Sequence, residues 1–370
     1  MQPPKLGFID SLRGFAALYV LAFHFSLITT PMAVAPRWLA PFTGFGGSGV
    51  TLFFVVSAFT LCLSTDSRKR DESTPLLNYF IRRFFRIAPL FYVWIIAYIV
   101  RDIFVFNTVH SPAEIARSVF FVLNLFPGRE QGFVWASWTI GVEMLFYVFF
   151  PVLFKCAGNL GKATALFLFS LLLRAIWRAA LPHMIADLGL VETYYNFSLL
   201  HHLPTFLFGI VVYRISRLID VDKAKLYGIG EMFVSAGIAG IWAVAYGLIG
   251  FGGFDGLTVE AAIYGLLLIG LAIKSPVIIV NRISRFYGRI SYSVYLSHAT
   301  TLFLMSKVFA FIYAHVSYVT AAYLVSIAIG LAVVTSISEL TYRFIETPGN
   351  ALGKSLIQFL QRRKSSSAIA

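Results

Sequence analysis

The sequence predicts an all-α, polytopic membrane fold of about ten transmembrane helices with both termini cytoplasmic. Three observations carry this. Charged residues are 13% of the 370-residue chain and the apolar and aromatic set is 58%, whereas an average soluble domain is about 25% charged. Ten windows are apolar over about 20 residues, the length that crosses a bilayer core. With the amino terminus placed inside, 23 of the 30 Lys and Arg residues fall in segments on that side, and such a bias sets the orientation of a polytopic chain. The formal charge of +13 then belongs to loops that face anionic lipid headgroups. No nucleic-acid recognition module accompanies it, so nucleic acid is not an expected partner.

Taken in order, the expected spans lie near residues 12–30, 47–65, 85–105, 137–156, 163–182, 198–216, 227–249, 257–274, 289–313 and 319–342. A small-x-small pattern, Ala33-Val34-Ala35, follows the first apolar run, but Pro36 after it disfavours cleavage, so the first span is expected to be retained. Between the third and fourth spans runs a long external segment whose Ser111-Pro112-Ala113-Glu114 start has the serine, proline and acid of a helix N-terminus. Two glycine-rich entries, Gly44–Gly49 and Gly250–Gly256, read as tight turns, because no strand precedes either as a phosphate cradle would require. Cys62 and Cys156 fall near cytoplasmic span ends, where a disulfide is not expected. No metal site is expected. Residues 1–350 read as one membrane domain and 351–370 as a short basic amphipathic cytoplasmic tail.

The first span carries Arg13 and His24 within an otherwise apolar stretch. Eleven positions at about 100° each are three turns plus roughly 20°, so the two share one face about 16 Å apart along the axis. A charged group inside a span costs up to roughly 3 kcal/mol and usually marks a partner, a water-filled cavity or a reaction. Glu143, six residues into the fourth span, lies at a depth compatible with His24. Its alternatives are protonation, or pairing with Arg174 or Arg178. Arg83 and Arg86, three apart at the cytoplasmic mouth of the third span, form a guanidinium pair of the kind that binds phosphate oxygens, or else serve as topological anchors. Asp10 stands three residues before Arg13, at pairing distance on a helix. Tyr295 and His298 share a face of the ninth span, and an apolar-helix histidine of this kind is often a satisfied core group.

These residues fall in segments that occur together elsewhere. Arg-x10-His within FIDSLRGFAALYVLAFHF, GVTLFFVVSAF (Gly49–Phe59), IRRFFRIAPLFY (Ile81–Tyr92), WTIGVEMLFYVFFP (Trp138–Pro151), ISYSVYLSHA (Ile290–Ala299) and RFIETP (Arg343–Pro348) appear in this order. Together they resemble the blocks of the acyltransferase-3 family, polytopic enzymes that O-acylate extracytoplasmic carbohydrates and some lipids. Ala58 and Ile140 depart from the usual glycine and leucine of those blocks. The resemblance implies an O-acyltransferase of a bacterial inner (plasma) membrane that moves an acyl group, most simply acetyl, from cytoplasmic acyl-CoA to a hydroxyl of a carbohydrate or glycolipid acceptor.

On that reading His24 is the general base, since imidazole titrates near neutral pH, and Glu143 assists it as the third member of a triad does. Arg13, Arg83 and Arg86 hold the coenzyme A donor, and Trp138, Tyr295 and His298 line the acceptor site. Two other functions would use the same residues: a proton-coupled transporter of a small polar solute, or a glycan-binding or export partner. Acceptor identity, acyl chain, direct transfer against an acyl-enzyme, and oligomeric state are not encoded in these motifs.

Overall fold

A computed structural model describes residues 6–29, 32–68, 74–250 and 255–367. Lys5, Lys69, Arg70, the end of the first expected span at Thr30, and Phe251–Phe254 of the second glycine-rich entry lie outside the described residues, as do the side chains of Arg363 and Lys364. The described chain is helical throughout. In order the helices are α1 (Gly7–Ile28), α2 (Ala40–Gly44), α3 (Gly49–Arg68), α4 (Pro75–Phe106), α5 (Pro112–Val119) and α6 (Ser137–Cys156). There follow α7 (Leu160–Met184), α8 (Leu188–Asn196), α9 (Leu199–Ser216), α10 (Val221–Leu226), α11 (Ile229–Ala245) and α12 (Gly256–Ile273). The last are α13 (Arg282–Arg289), α14 (Ser291–Leu304), α15 (Ser306–His315), α16 (Val319–Thr341) and α17 (Thr347–Ser367).

Eight of the expected spans are helical stretches long and apolar enough to cross a bilayer, which makes the chain a multi-pass integral membrane protein. The remaining two differ from a plain rod. The ninth is broken into α14 and α15, bent by 58°. The seventh, α11, has 17 residues, about 25 Å of helix and the lower limit for a span. The third starts earlier than the apolar window because Pro75 sits in the first turn of α4, where its missing N–H costs nothing. Arg82, Arg83 and Arg86 are therefore well inside that helix.

Close helix crossings rest on glycine. A Cβ on Gly288 of α13 would lie 1.8 Å from the Asp10 carbonyl oxygen of α1, so only glycine lets these backbones meet. Ser11 and Ser284 join their hydroxyls at 2.8 Å beside that crossing. A Cβ on Gly141 would lie 1.9 Å from Asn124 Oδ1. Asn124 occupies that space in order to donate to the carbonyls of Trp138 (3.1 Å) and Phe197 (2.7 Å), fastening the loop of residues 120–136 to the entrance of α6.

The helix start expected at Ser111 is present as a complete capping box: Ser111 Oγ accepts from the Glu114 backbone N–H, and the Ser111 N–H donates to Glu114 Oε2 at 3.0 Å. That backbone bond, aided by Arg129, holds the Glu114 carboxyl below the usual range. The first glycine-rich entry is a 3-10 turn, Phe45–Ser48, leading into α3. Cys62 and Cys156 are free thiols. At the carboxyl end a π-turn, Tyr342–Glu346, links α16 to α17. The expected boundary after residue 350 falls inside α17, which packs Gly349 and Gly353 against Pro89 and Phe85 of α4.

Candidate active site

Three cavities follow one another through the helix bundle, and the order of their lining residues along α3 and α6 gives their sequence. The first, here the vestibule, has a volume of about 630 Å³ and meets the start of α6 at Trp138 and the end of α1 at His24, Leu27 and Ile28. The second is a neck of about 50 Å³ at Arg13, Ser57, Arg86, Glu143, Tyr147 and Tyr292. The third, of about 380 Å³, is a groove between the end of α3 and the start of α4, bounded by the carboxyl-terminal turns of α6. Val50 and Tyr295 line both vestibule and neck. Tyr147 stands between neck and groove: its carbonyl accepts from Tyr79 at 3.0 Å, and the Arg83 guanidinium lies 5.8 Å from its ring centre.

His24 and Glu143 do not meet as expected. His24 Nδ1 is 2.8 Å from His298 Nε2, with the rings stacked at 5.0 Å, whereas Glu143 lies on the neck. Its Oε1 accepts from Ser57 at 2.6 Å and from Tyr147 at 2.5 Å. Nor does Glu143 pair with the outer arginines, since Arg174 binds Asp255 at 2.8 Å and Arg178 binds Glu192 at 3.0 Å. His298, expected to line the acceptor cavity, is wholly buried behind His24.

Taking both rings as neutral, the bonds of His298 assign their tautomers. Its Nδ1 is 2.7 Å from the Tyr295 carbonyl and 3.2 Å from that of Val294, and a carbonyl only accepts, so Nδ1 carries hydrogen. Nε2 of His298 must then accept, Nδ1 of His24 must donate, and Nε2 of His24 keeps its lone pair. Such an arrangement orients one imidazole through another, with a backbone carbonyl behind, in the position a carboxylate takes in a triad.

The arginine pair is divided. Arg86 faces the neck and lies 3.7 Å from Glu346 Oε1, a carboxylate 2% exposed whose Oε2 accepts from Ser293 at 3.1 Å. Arg83 faces the groove together with Arg68, Arg82 and Lys155, and no carboxylate is among the described residues that line it. Arg83 Nε has no hydrogen-bond partner among the described residues. Three residues of spacing put both guanidiniums on one side of α4, but the Tyr79–Tyr147 contact splits that side between two cavities. Arg13 joins Arg86 in the neck. Asp10, one turn earlier, lines a separate cavity with Arg282, Arg285 and Arg289, so Asp10 and Arg13 face different spaces.

Trp138 lines the vestibule as expected, tilted against Phe197 at 4.8 Å and His202 at 5.2 Å. Tyr295 lines both outer cavities, and Thr139 Oγ1 donates to its hydroxyl at 2.8 Å. Sequence reasoning passed over Ser57, Tyr147 and Glu346. All three lie in the quoted blocks, and Tyr147 is four residues from Glu143, the spacing of neighbours on a helix. Among the described residues no cluster of His, Cys, Asp and Glu side chains is arranged to hold a metal ion.

A family profile described as an acyltransferase domain, that of the acyltransferase-3 family, matches residues 6–337. A putative acetyltransferase of Acidianus two-tailed virus is 25% identical over 305 residues, covering 78% of this chain and 81% of that protein. Peptidoglycan O-acetyltransferase OatA of Listeria monocytogenes is 25% identical over 376 residues, covering 92% of this chain but 55% of the Listeria protein. This chain therefore spans little more than half the length of that relative. No solved structure matches.

Proposed function

We propose that this chain, which belongs to the acyltransferase-3 family of membrane O-acyltransferases, transfers an acetyl group from acetyl-CoA on the cytoplasmic side to a hydroxyl of a carbohydrate acceptor on the other side. The relatives named acetyltransferase and peptidoglycan O-acetyltransferase support the acyl group and the acceptor class. Orientation rests on the basic bias, with the groove at Arg83 as the cytoplasmic mouth. Four cations, with no carboxylate among the described lining residues, suit the phosphates of coenzyme A, and guanidinium matches phosphate oxygens bidentately. The pantetheine arm would pass Arg86 and Arg13 through the neck, which must widen from its present volume to admit it. Glu143, held by Ser57 and Tyr147, balances those two guanidiniums there instead of serving His24 directly.

In the vestibule the acceptor hydroxyl would give its proton to Nε2 of His24 while its oxygen attacks the thioester carbonyl carbon. The new C–O bond forms, the C–S bond breaks, and the imidazolium returns the proton to the departing thiolate, leaving an ester and free coenzyme A. Tyr295, on the wall shared by neck and vestibule, is placed in this reading to donate its hydroxyl hydrogen to the carbonyl oxygen. His298 orients His24 and disperses the charge of the imidazolium. The observation that carries the proposal is the His24–His298 hydrogen bond, because it leaves the lone pair on the ring that lines the vestibule.

The test is purified protein in nanodiscs given acetyl-CoA and a carbohydrate acceptor, with free thiol and acetylated sugar measured together. Equal amounts of both are expected, and solute movement without thiol release would instead make the protein a transporter.

A further inference from the structure

Another cavity, of about 220 Å³, lies in the loop segment between α4 and α6 and has no part in the reaction just described. Its polar walls are His110, Glu114, Arg117, Arg129, Glu130 and Gln131. The floor is tied to the transmembrane body. His110 Nε2 is 2.8 Å from Asp102 Oδ2, and the imidazole stacks on Phe133 at 4.1 Å. Asp102 is gripped in turn by Arg101 at 2.6 Å, whose guanidinium lies 4.1 Å from the ring centre of Tyr98 and 4.4 Å from that of Trp135 and donates to Thr300 at 3.0 Å. Arg129 closes one side by pairing with Glu114 at 3.0 Å.

Two features point to a ligand. Glu130 is 2% exposed, and its Oε2 has no hydrogen-bond partner among the described residues, an arrangement that costs free energy unless something supplies a donor. Gln131 and Gly132 line both this cavity and the vestibule, so the two spaces lie on either side of the same short loop.

The lining chemistry selects the class of ligand. Two carboxylates discourage a phosphate, while two guanidiniums discourage a bare cation. A neutral polyol satisfies both, its hydroxyls donating to carboxylates and accepting from guanidiniums. At ~30 Å³ per water in the liquid, the volume equals about seven waters, the scale of one pyranose ring.

We propose that this loop cavity is a carbohydrate subsite beside the reactive vestibule, holding the neutral sugar ring next to the one that is acetylated. The proposal rests on the carbohydrate-acceptor reading above and adds that the acceptor is an oligosaccharide, recognised over at least two rings.

The experiment compares N-acetylglucosamine with its β-1,4-linked disaccharide and trisaccharide as acceptors, using the full chain in nanodiscs and acetyl-CoA as donor. The wild type should show kcat/KM at least about tenfold higher for the disaccharide, as two or three added hydrogen bonds would give. Arg129→Ala and Gln131→Ala, both changes at exposed side chains, should each reduce that disaccharide-to-monosaccharide ratio by about three- to tenfold. In parallel, the trisaccharide without donor should slow amide hydrogen exchange across residues 107–133. Equal kcat/KM for one and two rings in the wild type, or a ratio that neither variant moves, would overturn the subsite and leave the acetyltransferase reading standing. Acetyl transfer to none of these sugars would refute the acceptor class itself, and the subsite with it. The monosaccharide rate therefore tells the two failures apart.

Discussion

The vestibule at His24 and the groove at Arg83 lie at opposite ends of the same helices and differ completely in charge. The vestibule is lined by apolar and aromatic side chains, one imidazole, one tyrosine hydroxyl and one amide, with no formally charged group among its described residues. The groove has four cations and no carboxylate among its described residues. A cavity without charged walls suits an uncharged sugar and offers a polyanion no counter-charge. The groove does the reverse. On the proposed reading, the charged donor is bound at one end of α3 and α6 and the hydroxyl activated at the other, with the neck at Glu143 between them.

The widest gap between the two regions should appear on removal of the base. His24→Ala is expected to lower kcat by about 10²- to 10⁴-fold with the donor KM little changed, because a general base acts in the transition state and not in donor binding. Membrane levels should stay near wild type, since His24 has one side-chain partner and faces a cavity. An equivalent rise in donor KM would merge the two regions into one site.

The orienting role proposed for His298 sharpens the same contrast from behind the vestibule wall. His298→Ala should cost roughly 10- to 100-fold in kcat, the usual scale for losing a group that fixes a functional imidazole. His298→Gln should recover much of it, since an amide can accept from His24 Nδ1 at one end and donate to the Tyr295 carbonyl at the other. A merely structural His298 would show no such ranking once the two variants were matched for folded protein.

In the groove, Arg83→Ala should raise the donor KM by about 10- to 100-fold, as each charge-assisted contact contributes roughly 1.5 to 3 kcal/mol, and leave kcat near wild type. Arg86→Ala should behave differently. It strips the ion pair from Glu346, a nearly inaccessible carboxylate, so a fall in thermal stability is expected together with any change in KM. Arg86→Ala/Glu346→Gln should restore part of that stability. Matching melting curves for wild type and Arg86→Ala would mean that the pair is not structural.

These differences also mark where sequence reading stops. Apolar windows located the eight helices long enough to cross a bilayer, together with the bent α14–α15 pair and the shorter α11, and the Ser-Pro-Ala-Glu start of α5 was legible because capping depends on side chains three residues apart. The place of His24 on a cavity-lining face was legible for the same local reason. Its partner was not, because His298 lies 274 positions away and periodicity reports only which residues share a face, never which distant face arrives against it. Glu143 was compatible in depth with His24, but depth along a helix is one coordinate of three; Ser57 and Tyr147 take its carboxylate toward the neck. Arg83 and Arg86 do share a side of one helix. What spacing could not supply was the pair of tyrosines that divides it.

Tyr295 stands on the wall between neck and vestibule, so its hydroxyl gives the smallest and most discriminating of these effects. Tyr295→Phe keeps the ring that packs edge-on against Phe53 at 5.6 Å and against His298 at 5.7 Å. Loss of the hydroxyl need not strand Thr139, because Thr139 Oγ1 also reaches the Ala136 carbonyl at 2.9 Å and can give its single hydrogen there. The structural cost is therefore small, and the melting temperature should hold. If the hydroxyl donates to the thioester carbonyl, its removal deletes one neutral hydrogen bond that strengthens as charge builds on that oxygen. About 0.5 to 1.5 kcal/mol is then lost from the transition state, or roughly a two- to twelvefold fall in kcat with donor KM unmoved. Steady-state kinetics on Tyr295→Phe with acetyl-CoA varied at saturating acceptor reads this directly. A rise in KM at constant kcat would put the hydroxyl on the donor in its ground state, and no change in either would reduce Tyr295 to a wall.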